Sequence, residues 1–204
     1  MVKTDYKKQF KELYLPKVGQ PIVVNVPKMN FLKIDGKGDP NTSPEYVAAI
    51  QTLYPVAYTI KFMCKKELGQ DFGVMPLEGL WWSADMSDFV TGNKENWQWT
   101  AMIMQPEVVT KDIFSRAVGQ VRAKKQLPQL DKLRFEAYDE GRAAQVMYLG
   151  SYSDEGPTIQ KLHAFIEEQG GSLGKTNKYH HEIYLSDPRR VDPAKLKTVI
   201  RQPF

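Results

Sequence analysis

Cysteine and histidine are scarce in this chain of 204 residues: there is one cysteine, Cys64, and three histidines. A single thiol excludes an intramolecular disulfide, and Cys64 sits in an apolar helical pattern where a free cysteine acts as a small buried hydrophobe. His180 and His181 are adjacent, so on a strand they face opposite ways, and only His180 could converge with Glu182. With no third ligand at a recognisable spacing, no metal is expected. Long apolar runs are also missing. Nothing approaches the roughly 20 residues of a membrane-spanning helix, and the opening Met1–Lys8 is polar where a signal peptide carries an apolar core. The expectation is a cytoplasmic protein without membrane contact. Gly36-Lys37-Gly38 is followed by Asp39-Pro40 where a dinucleotide-binding loop needs a helix and a third glycine, so no cofactor is expected. No serine or cysteine occupies a nucleophile-elbow motif, which argues against covalent acyl chemistry.

What is present reads as an ordinary globular composition, 42% hydrophobic with 25% charged residues, which predicts one compact body. The net charge of +4 is dispersed. Its densest stretch, Lys111–Lys125, places Ile113, Phe114, Ala117, Val118 and Val121 on one stripe and its arginines and lysines largely off it. That is a solvated amphipathic helix, and no nucleic-acid motif accompanies it, so no nucleic-acid partner is expected. Nothing in the residues calls for an obligate protein partner.

Two glutamates carry more information. Glu182 lies inside the strand-like run His180-His-Glu-Ile-Tyr-Leu185, and Glu78 precedes large apolar residues in Leu77-Glu-Gly-Leu-Trp-Trp82. A carboxylate withdrawn from water is costly unless paired or protonated, so such placements call for a reason. The surroundings repeat as well. Phe31–Ile34 precedes a helix opened by Ser43-Pro44, and Val146–Leu149 precedes another opened by Gly156-Pro157, with proline at the first helical turn as a start signal. Further strands follow each glutamate, Trp97–Met104 and Lys197–Arg201. The chain therefore predicts an α+β fold of two strand-helix-strand-strand modules, about 22–108 and 132–204, behind a lysine-rich lead of residues 1–20. Strand one is expected over Val23–Ile34 with a break near Pro27. The helix Pro44–Leu68, closed by Gly69, is expected to be kinked or divided at Pro55. Ser83–Asn96 is a loop long enough to serve as a lid.

Alternation puts His180, Glu182 and Tyr184 on one face of their strand, and His181, Ile183 and Leu185 on the other. With helices over the aliphatic face, Glu182 and Tyr184 would look into the opposite groove. Glu78, Leu80 and Trp82 share a face in the same way, while the face taken by Trp97 and Trp99 stays open. Four tryptophans within residues 81–99, near a carboxylate, suit a flat hydrophobic or cationic ligand held by ring stacking, cation–π attraction and counter-charge.

The run His181–Arg190 with Pro193–Pro203 resembles the closing signature of the GyrI-like small-molecule-binding family. Pro76–Trp82, Trp97-Gln-Trp99 and Met102–Pro106 resemble its tryptophan-rich branch, and the likeness extends from about residue 20 to the end. It implies a single GyrI-like domain over 1–204, with the two modules about a pseudo-twofold axis, an antiparallel sheet with helices on one face and a ligand groove on the other. In related drug-binding domains of transcription activators, a buried glutamate meets lipophilic cations. This chain has no helix-turn-helix domain attached, which argues against a role on DNA. Stand-alone members of the tryptophan-rich branch imply hydrolysis of cyclopropane-bearing DNA-alkylating compounds, a detoxification. On that expectation Glu182 is the base and Tyr184 a hydrogen-bond donor, with Glu78, Trp82, Trp97, Trp99 and Tyr148 forming the substrate pocket. The alternative is a non-catalytic multidrug-binding protein that sequesters lipophilic cations.

Overall fold

The computed structural model describes residues 2–85, 88, 91–173 and 179–204. The chain forms two compact units, one of Met1–Tyr6, Met29–Met75 and Trp81–Tyr138, the other of Lys7–Lys28, Pro76–Leu80 and Asp139–Phe204. Short helices α1 (Tyr6–Gln9) and α2 (Lys11–Tyr14) precede strand β1 (Ile22–Val26). The remaining strands are β2 (Met29–Lys37), β3 (Leu77–Trp82), β4 (Gln98–Gln105), β5 (Arg134–Tyr138), β6 (Gly141–Leu149), β7 (His180–Tyr184) and β8 (Lys197–Pro203). The longer helices among the described residues are α3 (Pro44–Leu68), α4 (Lys111–Arg122) and α5 (Gly156–Glu168). No described helix is long and apolar enough to cross a membrane.

In the first unit β2 is paired antiparallel on both sides, with β4 and with β5. The helix α3 starts on its expected signals: Ser43 accepts a hydrogen bond from the Tyr46 amide at 3.4 Å, and Pro44 occupies the first turn. It ends on Gly69, whose φ of 67° is a conformation that suits glycine. Pro55 does not divide it. Its penalty is offset by the packed stripe of Leu53, Val56, Ala57 and Ile60, which supports more of the helix than one lost backbone bond removes. Helix α4 buries Ile113, Ala117 and Val121 and keeps Arg116 outside, bonded to Glu67 and Asp112. Cys64 is buried, as expected for a free thiol in a helix.

In the second unit the strands pair antiparallel in the order β1–β6–β8–β7. The stretch expected as one broken strand is thus two strands: β1 pairs with β6 while β2 pairs within the first unit. Pro27 offers no amide for a ladder bond, and the chain changes pairing partners there. The lead is not loose either, because Lys7–Lys28 belongs to this unit.

Register then sorts these strands into faces. Val146, Ile200 and Glu182 form one row across β6, β8 and β7, and Tyr148, Thr198 and Tyr184 form the next. Directly opposed residues of antiparallel strands share a face. Ala144, Val146 and Ile200 pack with Leu162 and Ile166 of α5, so this is the helix-covered face. On the other face the row Gln145–Arg201–His181 lies under α2, to whose Glu12 and Leu13 carbonyls Gln145 and Arg201 donate at 2.7 and 2.8 Å. Both units follow the α+β, strand-helix-strand-strand course that the sequence predicts.

Candidate functional site

Glu182 lies on the α5 side of the second unit's strands, whereas the sequence reading placed it opposite the helix. The aliphatic Ile183 and Leu185 suggested that their own face met the helix, but Ile200 and Val146 supply that core from neighbouring strands. Glu182 is 8% exposed. Burial alone would raise its carboxyl pKa, yet hydrogen bonds from His180, from Tyr184 and with Glu155 bring it below the usual value, so Glu182 is held ionised. The His180 contact, Nε2 to Oε1, measures 3.2 Å. Tyr184 also helps to lower the Glu182 pKa in the free protein.

Tyrosines surround this carboxylate. The Tyr152 ring meets the Tyr184 ring edge-on, 5.6 Å between centroids. Burial, then the charges of Glu182, Glu155 and Asp187, push the Tyr152 phenol up to about 12, so it stays a neutral donor. Tyr148 donates to the Ser151 carbonyl at 3.0 Å and fixes the turn that leads to α5. Thr198, wholly buried in the row between Tyr148 and Tyr184, has an Oγ1 with no hydrogen-bond partner among the described residues. On the α5 side, burial and the neighbouring His180 lower the His163 pKa.

Glu78 does not join this cluster. It is fully buried on the face of His181, where its carboxylate accepts from Tyr14 at 2.8 Å and from His181 Nε2 at 3.0 Å. His181 Nδ1 meets Glu140 at 2.9 Å, and Arg201 reaches the same Glu140 at 3.0 Å and Gln145 at 2.8 Å. Both imidazole nitrogens face carboxylates, so the ring is an imidazolium donating at each end. Burial would lower its pKa, but Glu140 and Glu78 together hold it above the ordinary value. For Glu140 burial works upward, and His181 and Arg201 outweigh it to leave the carboxyl at about 2. Two anions and two cations thus close a neutral set, with every charge paired, as a buried ion network must be. Glu78 serves this set, and the sequence expectation that it lines a substrate pocket beside Glu182 is not met: the alternation of β7 sends residues 181 and 182 to opposite faces.

The tryptophans lie in the first unit. Trp99 is fully buried, its ring lying over Gly36 of the paired strand and edge-on to Tyr46 at 5.0 Å. It is core, and offers no wall to a ligand in this state. Trp97 and Trp82 are half-buried, and Trp97 packs edge-on to Trp81 at 6.0 Å. The segment expected to be a lid is described only in part. Asp88 accepts from Ser83 at 2.6 Å and from Asn96 at 3.2 Å, and residues 86, 87, 89 and 90 lie outside the described set. Among the described residues no cluster of three or more histidine, cysteine or acidic side chains is arranged to hold a metal ion.

The sequence reading missed Glu155 and Tyr152. A glutamate just ahead of Gly156-Pro157 looks like an acid at a helix start, and only the structure shows that it makes no cap bond there and helps to bring Glu182 below the usual carboxyl value.

Residues 19–204 match the GyrI-like small molecule binding domain. A crystal structure of an uncharacterised conserved protein from Listeria innocua is 40% identical, with a TM-score of 0.88 over 98% of this chain and 99% of that one. Two L. innocua structures described as hydrolases are 38% and 39% identical, with TM-scores of 0.83 and 0.84. They cover 98% and 99% of this chain, and 99% of each of theirs. The C-terminal domain of EcmrR shares the fold at 13% identity, with a TM-score of 0.54 over 90% of this chain and 96% of its own. No functionally curated protein matches the sequence. On the match over residues 19–204 and the agreement with the L. innocua structures, the chain belongs to the GyrI-like small-molecule-binding family.

Proposed function

We propose that this protein is a cytoplasmic hydrolase of small, strained electrophiles, with cyclopropanes conjugated to a dienone as the substrate class and detoxification as the outcome. The observation that carries this reading is Glu182: a carboxylate 8% exposed, held ionised by His180 and Tyr184, among tyrosine rings. The description of two relatives at 38% and 39% identity as hydrolases supports it.

The chemistry asks little of the protein. Water attacks a cyclopropane carbon, a carbon–oxygen bond forms, the ring carbon–carbon bond breaks, and its electron pair runs through the dienone to leave a phenolate. Glu182 takes the proton from the attacking water. His180 fixes one carboxylate oxygen and Tyr184 stands beside the group, so the base is aimed before the substrate arrives. Tyr184 is also the expected donor to the developing phenolate. Tyr148 and Tyr152 supply flat surface beside the carboxylate. No metal or cofactor is invoked.

A second reading, sequestration of lipophilic cations, is favoured by the same ionised carboxylate edged by Tyr152 and Tyr184, since ring faces and a counter-charge attract a cation. One experiment separates the two. A trace of protein is incubated with excess cyclopropanoid, and product is followed by mass spectrometry. Product beyond one equivalent is expected, and Glu182→Gln should lower kcat by about 10²–10⁴-fold while KM for a neutral substrate changes little. Consumption that stops at one equivalent, or full turnover by Glu182→Gln, rejects the hydrolytic assignment.

A further inference from the structure

Strand β8 sends Thr198 and Ile200 to the α5 side and Val199 and Arg201 to the other. The row of Glu182 continues through Ile200 and Val146, which offer no polar side-chain atom. The next row holds Thr198 between Tyr148 and Tyr184. Thr198 is fully buried, and its Oγ1 has no hydrogen-bond partner among the described residues. The Tyr148 hydroxyl does not serve it, because that group donates to the Ser151 carbonyl at 3.0 Å. A hydroxyl withdrawn from solvent and left unpaired is costly. Valine would fill the same volume between the two tyrosines without that cost. An orphaned hydroxyl in a native interior calls for a partner outside the chain, and water is the usual one.

We propose that Thr198 positions the water that Glu182 activates, its Oγ1 and the Glu182 carboxylate binding one water molecule between them. The catalytic half of this inference rests on the hydrolytic reading of Glu182, and the water site rests on strand register and on the orphaned hydroxyl. Glu182 opposes Ile200, and Tyr184 opposes Thr198, so Glu182 and Thr198 are diagonal neighbours on one face. Such neighbours stand about 7–8 Å apart, within reach of a long side chain. The two side chains make no direct bond. The glutamate spans part of the interval, and one water at about 2.8 Å from each oxygen spans the rest.

Two acceptors give that water a defined orientation. One O–H points to the Glu182 carboxylate, the other to Thr198 Oγ1, and a lone pair is left for the substrate carbon. Both acceptors are held. His180 Nε2 meets Glu182 Oε1 at 3.2 Å, and a β-branched side chain such as threonine is stiff at χ1. On attack the water oxygen bonds to the cyclopropane carbon, and the ring carbon–carbon bond breaks with its electron pair ending on the dienone oxygen. Glu182 takes one proton of the water, while the other stays on the oxygen as the product hydroxyl, still accepted by Thr198. Glu182 then releases its proton to solvent and the phenolate takes one from solvent, so the sum is addition of one water molecule.

The water site is tested without substrate. A high-resolution crystal structure of the unaltered protein should show a water within hydrogen-bonding distance of both Thr198 Oγ1 and the Glu182 carboxylate, and Thr198→Val should lack it. A Thr198 hydroxyl with no such water overturns the proposal, whatever the protein hydrolyses. For catalysis, Thr198→Val should lower kcat on a cyclopropanoid by about 10–100-fold with KM unchanged, and Thr198→Ser, which keeps the hydroxyl, should retain most of kcat. A hydroxyl that is merely unsatisfied predicts the reverse: Thr198→Val with full kcat and a raised denaturation midpoint, which overturns the positioning role while leaving hydrolysis by Glu182 intact. Thr198→Ser as slow as Thr198→Val overturns it too. Added to Glu182→Gln, Thr198→Val should cost far less than it does alone, because both act on one water; additive losses overturn the shared water. If the water is present and the unaltered protein does not turn over, the positioning role falls together with the hydrolytic reading.

Discussion

At the scale of single residues, the ion set around His181 ties stability to pH from both sides. His181 has a folded pKa above its ordinary 6.5, so its contribution is complete below about 6.5 and fades as pH rises through the folded value. Glu140 has the opposite sign: its folded value of about 2 lies below the ordinary 4.5, so its contribution is complete above about 4.5 and fades as pH falls toward 2. The set should therefore stabilise most between these limits. Urea unfolding measured across pH should show stability falling on the alkaline side in the unaltered protein, and His181→Gln should flatten that limb. Equal alkaline slopes in the two proteins would reject the assignment. The strand alternation that singles out Glu182 in the sequence also fixes which residues share its face, and the structure keeps His180 and Tyr184 beside it. What the sequence could not give was which face met the helix. Glu155 was equally hidden, because a loop acid before a helix looks the same whether it caps an amide or turns away.

Among elements, β2 and β4 show how a glycine and a tryptophan depend on each other. Gly36 lies directly across from Trp99, whose ring covers it, and an added methyl group at residue 36 would collide with that ring. Gly36→Ala should cost about 1–3 kcal/mol by overpacking, read as a lower denaturation midpoint with unchanged slope. No change in midpoint would mean that Trp99 moves aside freely and is not locked in the core. This pairing explains why Trp99 was misassigned: a tryptophan near other aromatics reads equally as platform or core, and the deciding partner is a glycine distant in sequence. Helices were more legible than strands. Ser43-Pro44 and Gly69 bound α3 as expected, whereas β1 and β2 were merged because pairing partners leave no local mark beyond Pro27.

On the scale of the whole molecule, the two units are not consecutive halves of the chain. The second unit takes Lys7–Lys28 and Pro76–Leu80 from ahead of its main segment, and these bring β1, Tyr14 and Glu78. A fragment of Asp139–Phe204 alone would leave His181 without Glu78, and Arg201 without its carbonyl acceptor on Leu13. Losing partners of a buried charge costs about 3–5 kcal/mol, a large share of what a small domain possesses. The fragment should lack dispersed amide resonances in an NMR spectrum. Dispersion equal to that of the full chain would show that the earlier segments are dispensable. The duplicated strand-helix-strand-strand course was readable from spaced proline and glycine signals, but this interlacing was not, because it depends on long-range partners.

The ion pair set and the site carboxylate occupy neighbouring positions, His181 and Glu182, on opposite sides of β7. Sliding that strand by one residue would turn Glu182 toward Arg201 and Glu140 and drive His181 toward Leu162 and Ile166, so both faces would be wrong at once. A misaligned strand is therefore penalised twice, and the working carboxylate comes into place only in the alignment that also completes the salt-bridged side. The buried charges thus act as a proofreading latch on the chain's own assembly.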